Sequence, residues 1–193
     1  MKKICIDCGT HLGQGLKDIS NQIGVDASWI VHSFEANPCV YKQLEESGQR
    51  LNYVHYHNLA VSNTYNDVIV NVETPPGEGE TGMGTSIISL DQWGAGIKNN
   101  FKTFYTVKAI RLANFIKENF NLNEDFIAMK IDIEGSEYDV LEDMEDLGVL
   151  KHIDFLAVEF HSRMFSNIEE ILVRENKIRE LIASHNIRFV EWY

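Results

Sequence analysis

Apolar positions along the chain alternate between two spacings, and the alternation sets out a series of elements. Ile4-Cys5-Ile6 is a short β-forming run that meets Asp7 and then Gly9, Gly13 and Gly15, after which Leu16, Ile19 and Ile23 recur at helical intervals. Trp29 to Glu35 reads as a second strand. Asn37 and Pro38 then open a helix that stops near Gly48, Asn as cap and Pro at its first position. Tyr53 to Leu59 is a third strand candidate, with Ala60 to Asn63 as a turn and Asp67 to Glu73 as a half-exposed strand. The stretch from Pro75 to Ser86 is dense in breakers and reads as a long loop, either a lid or plain surface.

Phe104 to Ile110 resumes as a strand, and Leu112, Phe115 and Ile116 mark a short amphipathic helix. Phe126 to Ile133 is apolar enough for a central parallel strand. It ends in Glu134-Gly135-Ser136-Glu137 and leads into a helix through Val140, Leu141, Met144 and Leu147. Asp154 to His161 is the next buried strand. Ser166 to Glu169 has the form of a capping box ahead of a long helix with the stripe Ile171, Leu172, Ile178, Leu181 and Ile182, and Ile187 to Tyr193 is the last strand. Strands alternating with helices predict an α/β fold with a mostly parallel central sheet and helices on both faces.

Composition narrows the picture. With 193 residues, 44% of them hydrophobic, the chain can bury one sizeable core, so residues 1–193 are expected to form a single domain. The formal charge of −12 and the absence of a Lys/Arg-rich stretch argue against nucleic-acid or membrane-surface partners, although acidity also simply keeps a small protein soluble. No basic-then-apolar leader and no apolar run of transmembrane length is present, which points to a cytoplasmic protein. The three cysteines show no metal-ligand clustering. Cys5 and Cys8 should leave opposite faces of their strand as reduced packing residues.

Candidate chemistry collects at strand ends. Gly9-x-x-x-Gly13-x-Gly15 lets a backbone approach a nucleotide-like ligand but lacks the G-x-G-x-x-G register that seats a pyrophosphate, and no P-loop exists. Glu35 follows Asp7 at roughly the interval at which a carboxylate meets ribose hydroxyls, unless it is simply an exposed strand end. Asp132 and Glu134 end one central strand, and Glu159 and His161 another. If these strands are neighbours, the group suits Mg²⁺ or Mn²⁺; His161 could instead serve as a base without metal, or the residues could merely form a helix start.

Asp7-x-Gly9-x-x-x-Gly13, Phe34-Glu35-Ala36-Asn37-Pro38 and Lys130-Ile131-Asp132-Ile133-Glu134-Gly135-Ser136-Glu137 with Val140-Leu141 together resemble the FkbM family of S-adenosylmethionine-dependent methyltransferases. Ala60-Val61-Ser62 and Gly82-x-Gly84-Thr85-Ser86 support the resemblance. It implies a Rossmann-like class I methyltransferase fold, S-adenosylmethionine as cofactor, and O-methylation of a sugar, glycan or other small-molecule hydroxyl. By the same resemblance Asp7 and Gly9 lie near the methionine part and Glu35 binds ribose. Thr10, His11, Gly13, Ala36, Asn37, Ala60, Val61 and Asp132 complete the implied cofactor set.

Three departures bear on the substrate site more than on the cofactor site. His11 stands where the family usually has Asn, and Ile110-Arg111-Leu112-Ala113-Asn114 replaces the usual Thr-Leu-Asp-Asp. The sequence also shows neither the N-terminal extension nor the final β-hairpin. The expected catalytic residues are His161, Asp132 and Glu159, and a metal would take Asp132, Glu134, Glu159 and His161. Competing classes are a nicotinamide-dependent sugar oxidoreductase, which lacks its glycine fingerprint here, and a catalytically silent nucleotide-binding module.

Overall fold

The computed structural model describes residues 1–73 and 84–192. Its elements in chain order are β1 (Lys3–Cys8), α1 (Gln14–Ile23), β2 (Ile30–Phe34), α2 (Pro38–Glu46), β3 (Val54–His57), β4 (Ala60–Ser62), β5 (Val68–Glu73), β6 (Thr85–Ser86), α3 (Ala95–Lys98), β7 (Phe101–Val107), β8 (Ala109–Arg111), α4 (Leu112–Asn119), β9 (Phe126–Ile131), α5 (Glu137–Asp146), β10 (Phe155–Val158), α6 (Ile168–Ser184) and β11 (Arg188–Glu191). Six strands form one sheet in the order β11-β10-β9-β1-β2-β3, and every pairing in it is parallel. The chain leaves β1 toward one edge and returns through β9 toward the other. The switch of direction therefore falls beside β1, where open α/β sheets bind ligands.

The period-2 alternation of a strand divides the core into two layers. Ile4, Ile6 and Cys8 of β1 and Ile127, Met129 and Ile131 of β9 face one cluster, packed with Leu112 and Ile116 of α4, Val140, Leu141 and Met144 of α5, and Ile178 and Ile182 of α6. Cys5 and Ala128 face the other, against Leu16 and Ile19 of α1. Cys5 and Cys8 thus point to opposite layers, both buried and free, as expected. Asn37 caps α2 as its sequence predicts, its side chain accepting from the N–H of Cys39 at 2.9 Å and of Val40 at 3.4 Å.

Several local expectations are corrected. Residues 60–62 are not a turn but a strand, paired in parallel with β8. The expected strand over 104–110 breaks at Lys108: β7 pairs with β5 in a three-stranded antiparallel sheet, whereas β8 pairs with β4. These pairings join segments far apart in sequence, which periodicity in a local window cannot register. Of the breaker-rich stretch from 75 to 86, residues 75–83 lie outside the described residues, and Thr85–Ser86 forms β6 against β5. The capping box does not form. Ser166 Oγ donates instead to the Gln92 carbonyl at 3.0 Å, α6 begins after Asn167, and Leu172 of the supposed apolar stripe is 41% exposed.

Candidate active site

β1 ends at Cys8, and the next residues fold back so tightly that only glycine fits. Gly9 has φ +81°, and a Cβ there would lie 1.8 Å from the Asp132 carbonyl oxygen. Its N–H and that of Thr10 both donate to the Phe34 carbonyl, at 3.0 and 2.9 Å, which fixes the loop over the end of β2. His11, at φ +50°, then turns its N–H onto Glu35 Oε2 at 2.8 Å, while Asn37 N–H donates to Glu35 Oε1 at 2.8 Å. One carboxylate therefore joins the loop after β1 to the start of α2. Burial pushes Glu35 up to about 6, even though both backbone donors pull the other way. Each of its oxygens retains accepting capacity for a ligand hydroxyl.

The ends of β9 and β10 are built differently. Lys130 is a cation in an otherwise apolar central strand, 1% exposed, and its Nζ donates to the Gly9 carbonyl at 2.7 Å and meets Asp132 Oδ2 at 3.0 Å and Asp7 Oδ1 at 3.8 Å. Burial alone would lower its pKa; Asp7 and Asp132 outweigh that and hold it above the ordinary value. After β9 the backbone turns through Glu134 (φ +52°) and Gly135 (φ +100°) into α5. Glu137, wholly buried, closes that turn by accepting from Ile133 N–H at 2.9 Å and Gly135 N–H at 3.0 Å.

The same Glu137 carboxylate lies 3.0 Å from His161 Nδ1. Nε2 of that ring is thereby aimed at Glu134 Oε2 (3.3 Å), Glu159 Oε1 (3.7 Å) and Asp132 Oδ1 (4.0 Å). Burial would lower the His161 pKa, but Glu137 foremost, with Glu134 and Asp132, raises it to about 10. Burial together with Asp132, Glu137 and Glu159 pushes Glu134 up to about 8, against the pull of His161. Glu159 is raised as well, by burial and by Asp132. Donor atoms of Asp132, Glu134 and His161 lie within 4.8 Å of one another, a separation one cation can bridge.

Two clefts meet over this ground. Away from the larger cleft the smaller is walled by Phe34, Glu35, Ala36, Leu59, Ala60, Val61, Thr85, Ile87 and Ile133, mostly apolar faces around the Glu35 carboxylate. The larger runs from Thr10, Gln14 and Gly15 past Lys130 and Glu159 to Phe101, Met164 and Trp192. Gly9, His11, Asp132 and Glu134 line both, so the acid cluster sits at their junction. Asp7 and Asn37 lie beneath the surface instead, Asp7 accepting from Ser33 Oγ at 2.9 Å. Gly13 precedes α1 at φ +95° and lines neither cleft, and His161 reaches the junction only through Nε2 from below.

Lys130, Glu137 and the wall residues Phe101 and Trp192 were not anticipated as parts of a site. Lys130 had a visible signal, being the lone charge inside a buried strand. Glu137 had none of its own, because its role depends on the turn that precedes it.

An open parallel sheet with clefts at the carboxyl ends of β1, β2 and β9 is the architecture of a Rossmann-like methyltransferase fold. The model of the methyltransferase FkbM domain matches residues 7–188, and the chain belongs to that family. No curated protein and no solved structure matches the chain. Among the described residues no helix is long and apolar enough to cross a membrane.

Proposed function

We propose that the protein transfers a methyl group from S-adenosylmethionine to a hydroxyl of a sugar, glycan or other small-molecule acceptor, with Mg²⁺ or Mn²⁺ at the acid cluster. The observation that carries this reading is the convergence of Asp132, Glu134, Glu159 and His161 Nε2 at the junction of the two clefts. The cofactor fits the residues present. The apolar smaller cleft suits adenine and Glu35 suits ribose hydroxyls. Thr10, whose buried hydroxyl has no hydrogen-bond partner among the described residues, and the open first turn of α1 suit the methionine carboxylate. Bound there, the cofactor supplies an electrophilic methyl group.

The chain's own part is to position the acceptor and remove its proton. Nε2 of His161 faces three carboxylates, and these with Glu137 raise its pKa to about 10. A cation held by Asp132, Glu134 and the neutral imidazole would take the place of that proton and would polarise an acceptor oxygen. Glu159, partly exposed in the larger cleft and raised in pKa, is the carboxylate suited to accept the hydroxyl proton. Glu137 keeps Nε2 turned toward the cluster, the usual task of a carboxylate behind a metal-binding imidazole.

Methyl transfer followed by mass spectrometry tests the reading. Chelator should lower turnover and Mn²⁺ restore it, and His161→Ala should remove most activity while leaving cofactor affinity nearly unchanged. Full turnover in chelator together with an active His161→Ala variant would remove both cation and imidazole from the mechanism.

A further inference from the structure

β6 runs between the two sides of the site and is tied to both. Gly84 lets the segment lie flat on the end of β5: a Cβ there would stand 2.4 Å from Glu73 Oε2, and the Gly84 carbonyl accepts from Glu73 N–H at 2.7 Å. Beyond it the side chains alternate as along any strand. Thr85 and Ile87 line the smaller cleft, and Ser86 between them, wholly buried, turns the other way. Its Oγ accepts from Ile88 N–H at 3.1 Å and donates to the Glu134 carbonyl at 2.5 Å.

That carbonyl belongs to the peptide on which the acid cluster turns. Glu134 has φ +52° and Gly135 φ +100°, and a residue with a Cβ keeps a left-handed backbone only where its surroundings hold it there. The peptide joining the two is held at both ends. Glu137 accepts from its N–H, on Gly135, at 3.0 Å, and Ser86 donates to its C=O, on Glu134. Glu137 also holds His161 Nδ1 at 3.0 Å, so the two groups that face each other across 3.3 Å, Glu134 Oε2 and His161 Nε2, depend on the same held peptide. Without the Ser86 hydroxyl the carbonyl end is released, and the Glu134 carboxylate loses its fixed aim.

We infer that Ser86 is a positioning residue for the acid cluster: by holding the Glu134 carbonyl it aims the Glu134 carboxylate, and so sets the cluster's affinity for a divalent cation without touching cofactor or acceptor. The inference rests on the cation assigned above to Asp132, Glu134 and His161, and names a residue outside that set on which the cation depends.

Mn²⁺ binding to the full chain, followed by electron paramagnetic resonance, tests it. Ser86→Ala should weaken Mn²⁺ binding roughly 10–100-fold, the loss usual for a partner that stands behind a metal ligand, and leave S-adenosylhomocysteine affinity in calorimetry nearly unchanged. The variant should fold, because β6 keeps its pairing with β5, Asn37 Nδ2 still donates to Thr85 Oγ1 at 3.3 Å, and Asn71 Nδ2 to the Ile88 carbonyl at 3.1 Å. Ser86→Cys, which keeps a weak donor in place, should recover part of the lost Mn²⁺ affinity. A lowered Tm with unchanged Mn²⁺ affinity in both variants, or an equal loss of S-adenosylhomocysteine affinity, overturns the inference and leaves Ser86 a structural residue. No Mn²⁺ binding by the wild-type chain would overturn the cation reading itself, and this inference with it.

Discussion

The carboxyl ends of β1 and β2 and those of β9 and β10 present carboxylates to the same space by opposite means. On the first side Glu35 is satisfied by main-chain donors, the N–H groups of His11 and Asn37. On the second, Asp132, Glu134, Glu159 and His161 face mainly one another. A carboxylate held by backbone donors is finished before a ligand arrives and keeps spare accepting capacity for it. A cluster of side-chain charges is finished only by a proton or a cation. In the function proposed above, the first side is thus the binding surface and the second the place where charge changes.

The largest expected effect comes from the residue that belongs to both designs. Glu137 takes backbone N–H groups like Glu35, yet also pairs with His161. Glu137→Ala removes one partner of a buried charged pair and leaves two donors unmet, and should cost about 3–5 kcal/mol in urea denaturation. A loss under about 1 kcal/mol would mean that the cluster does not depend on its partner, and the contrast between the two sides would fail.

Gly9→Ala probes the seam between the two sides. The new methyl would overlap the Asp132 carbonyl at a positive φ, and overpacking with left-handed strain should cost about 2–5 kcal/mol. Unchanged stability would mean that β1 and β9 separate freely at this point.

Glu35→Ala should weaken S-adenosylhomocysteine binding by about 1–3 kcal/mol in calorimetry. Because Glu35 also holds His11 and Asn37, a drop in Tm should accompany it, whereas Glu35→Gln, which can still accept, should lose less of both. Equal losses for the two variants would show that charge, rather than the accepted hydrogen bonds, matters there.

The same cluster carries a pH dependence. His161 titrates at about 10 in the fold against about 6.5 when unfolded, so the stability contributed by its proton is whole below pH 6.5 and lost as pH rises toward 10. Glu134, raised to about 8, acts in the same direction, its ionised form costing stability as pH rises from about 4.5 to 8. In chelator, thermal stability should therefore fall between about pH 4.5 and 10, and His161→Gln should flatten the part of the fall above pH 6.5. A flat wild-type profile would remove the charge cluster from the account.

The two sides also differed in how far the sequence disclosed them. Helical and strand periods of Ile4, Leu16, Ile19 and Ile127 reflect burial on the two faces of one sheet, so the parallel core was readable from spacing. Asp132, Glu134, Glu159 and His161 could be nominated because β9 and β10 were expected to be neighbours, and they are. Three features were not readable. The β4–β8 pairing depends on segments some fifty residues apart. Asp7 sits below the cleft because Lys130 and Ser33 reach it from neighbouring strands. Glu137 acquires its role from a turn with two positive φ angles, at Glu134 and Gly135, which brings the N–H groups of Ile133 and Gly135 onto its carboxylate.

The central claim is that the β1–β2 side is built for an S-adenosyl ligand. Isothermal titration of the purified chain with S-adenosylhomocysteine and, separately, with NAD tests it most directly. Saturable one-to-one binding of S-adenosylhomocysteine with no heat from NAD is the predicted result. Saturable NAD binding without response to S-adenosylhomocysteine would contradict it.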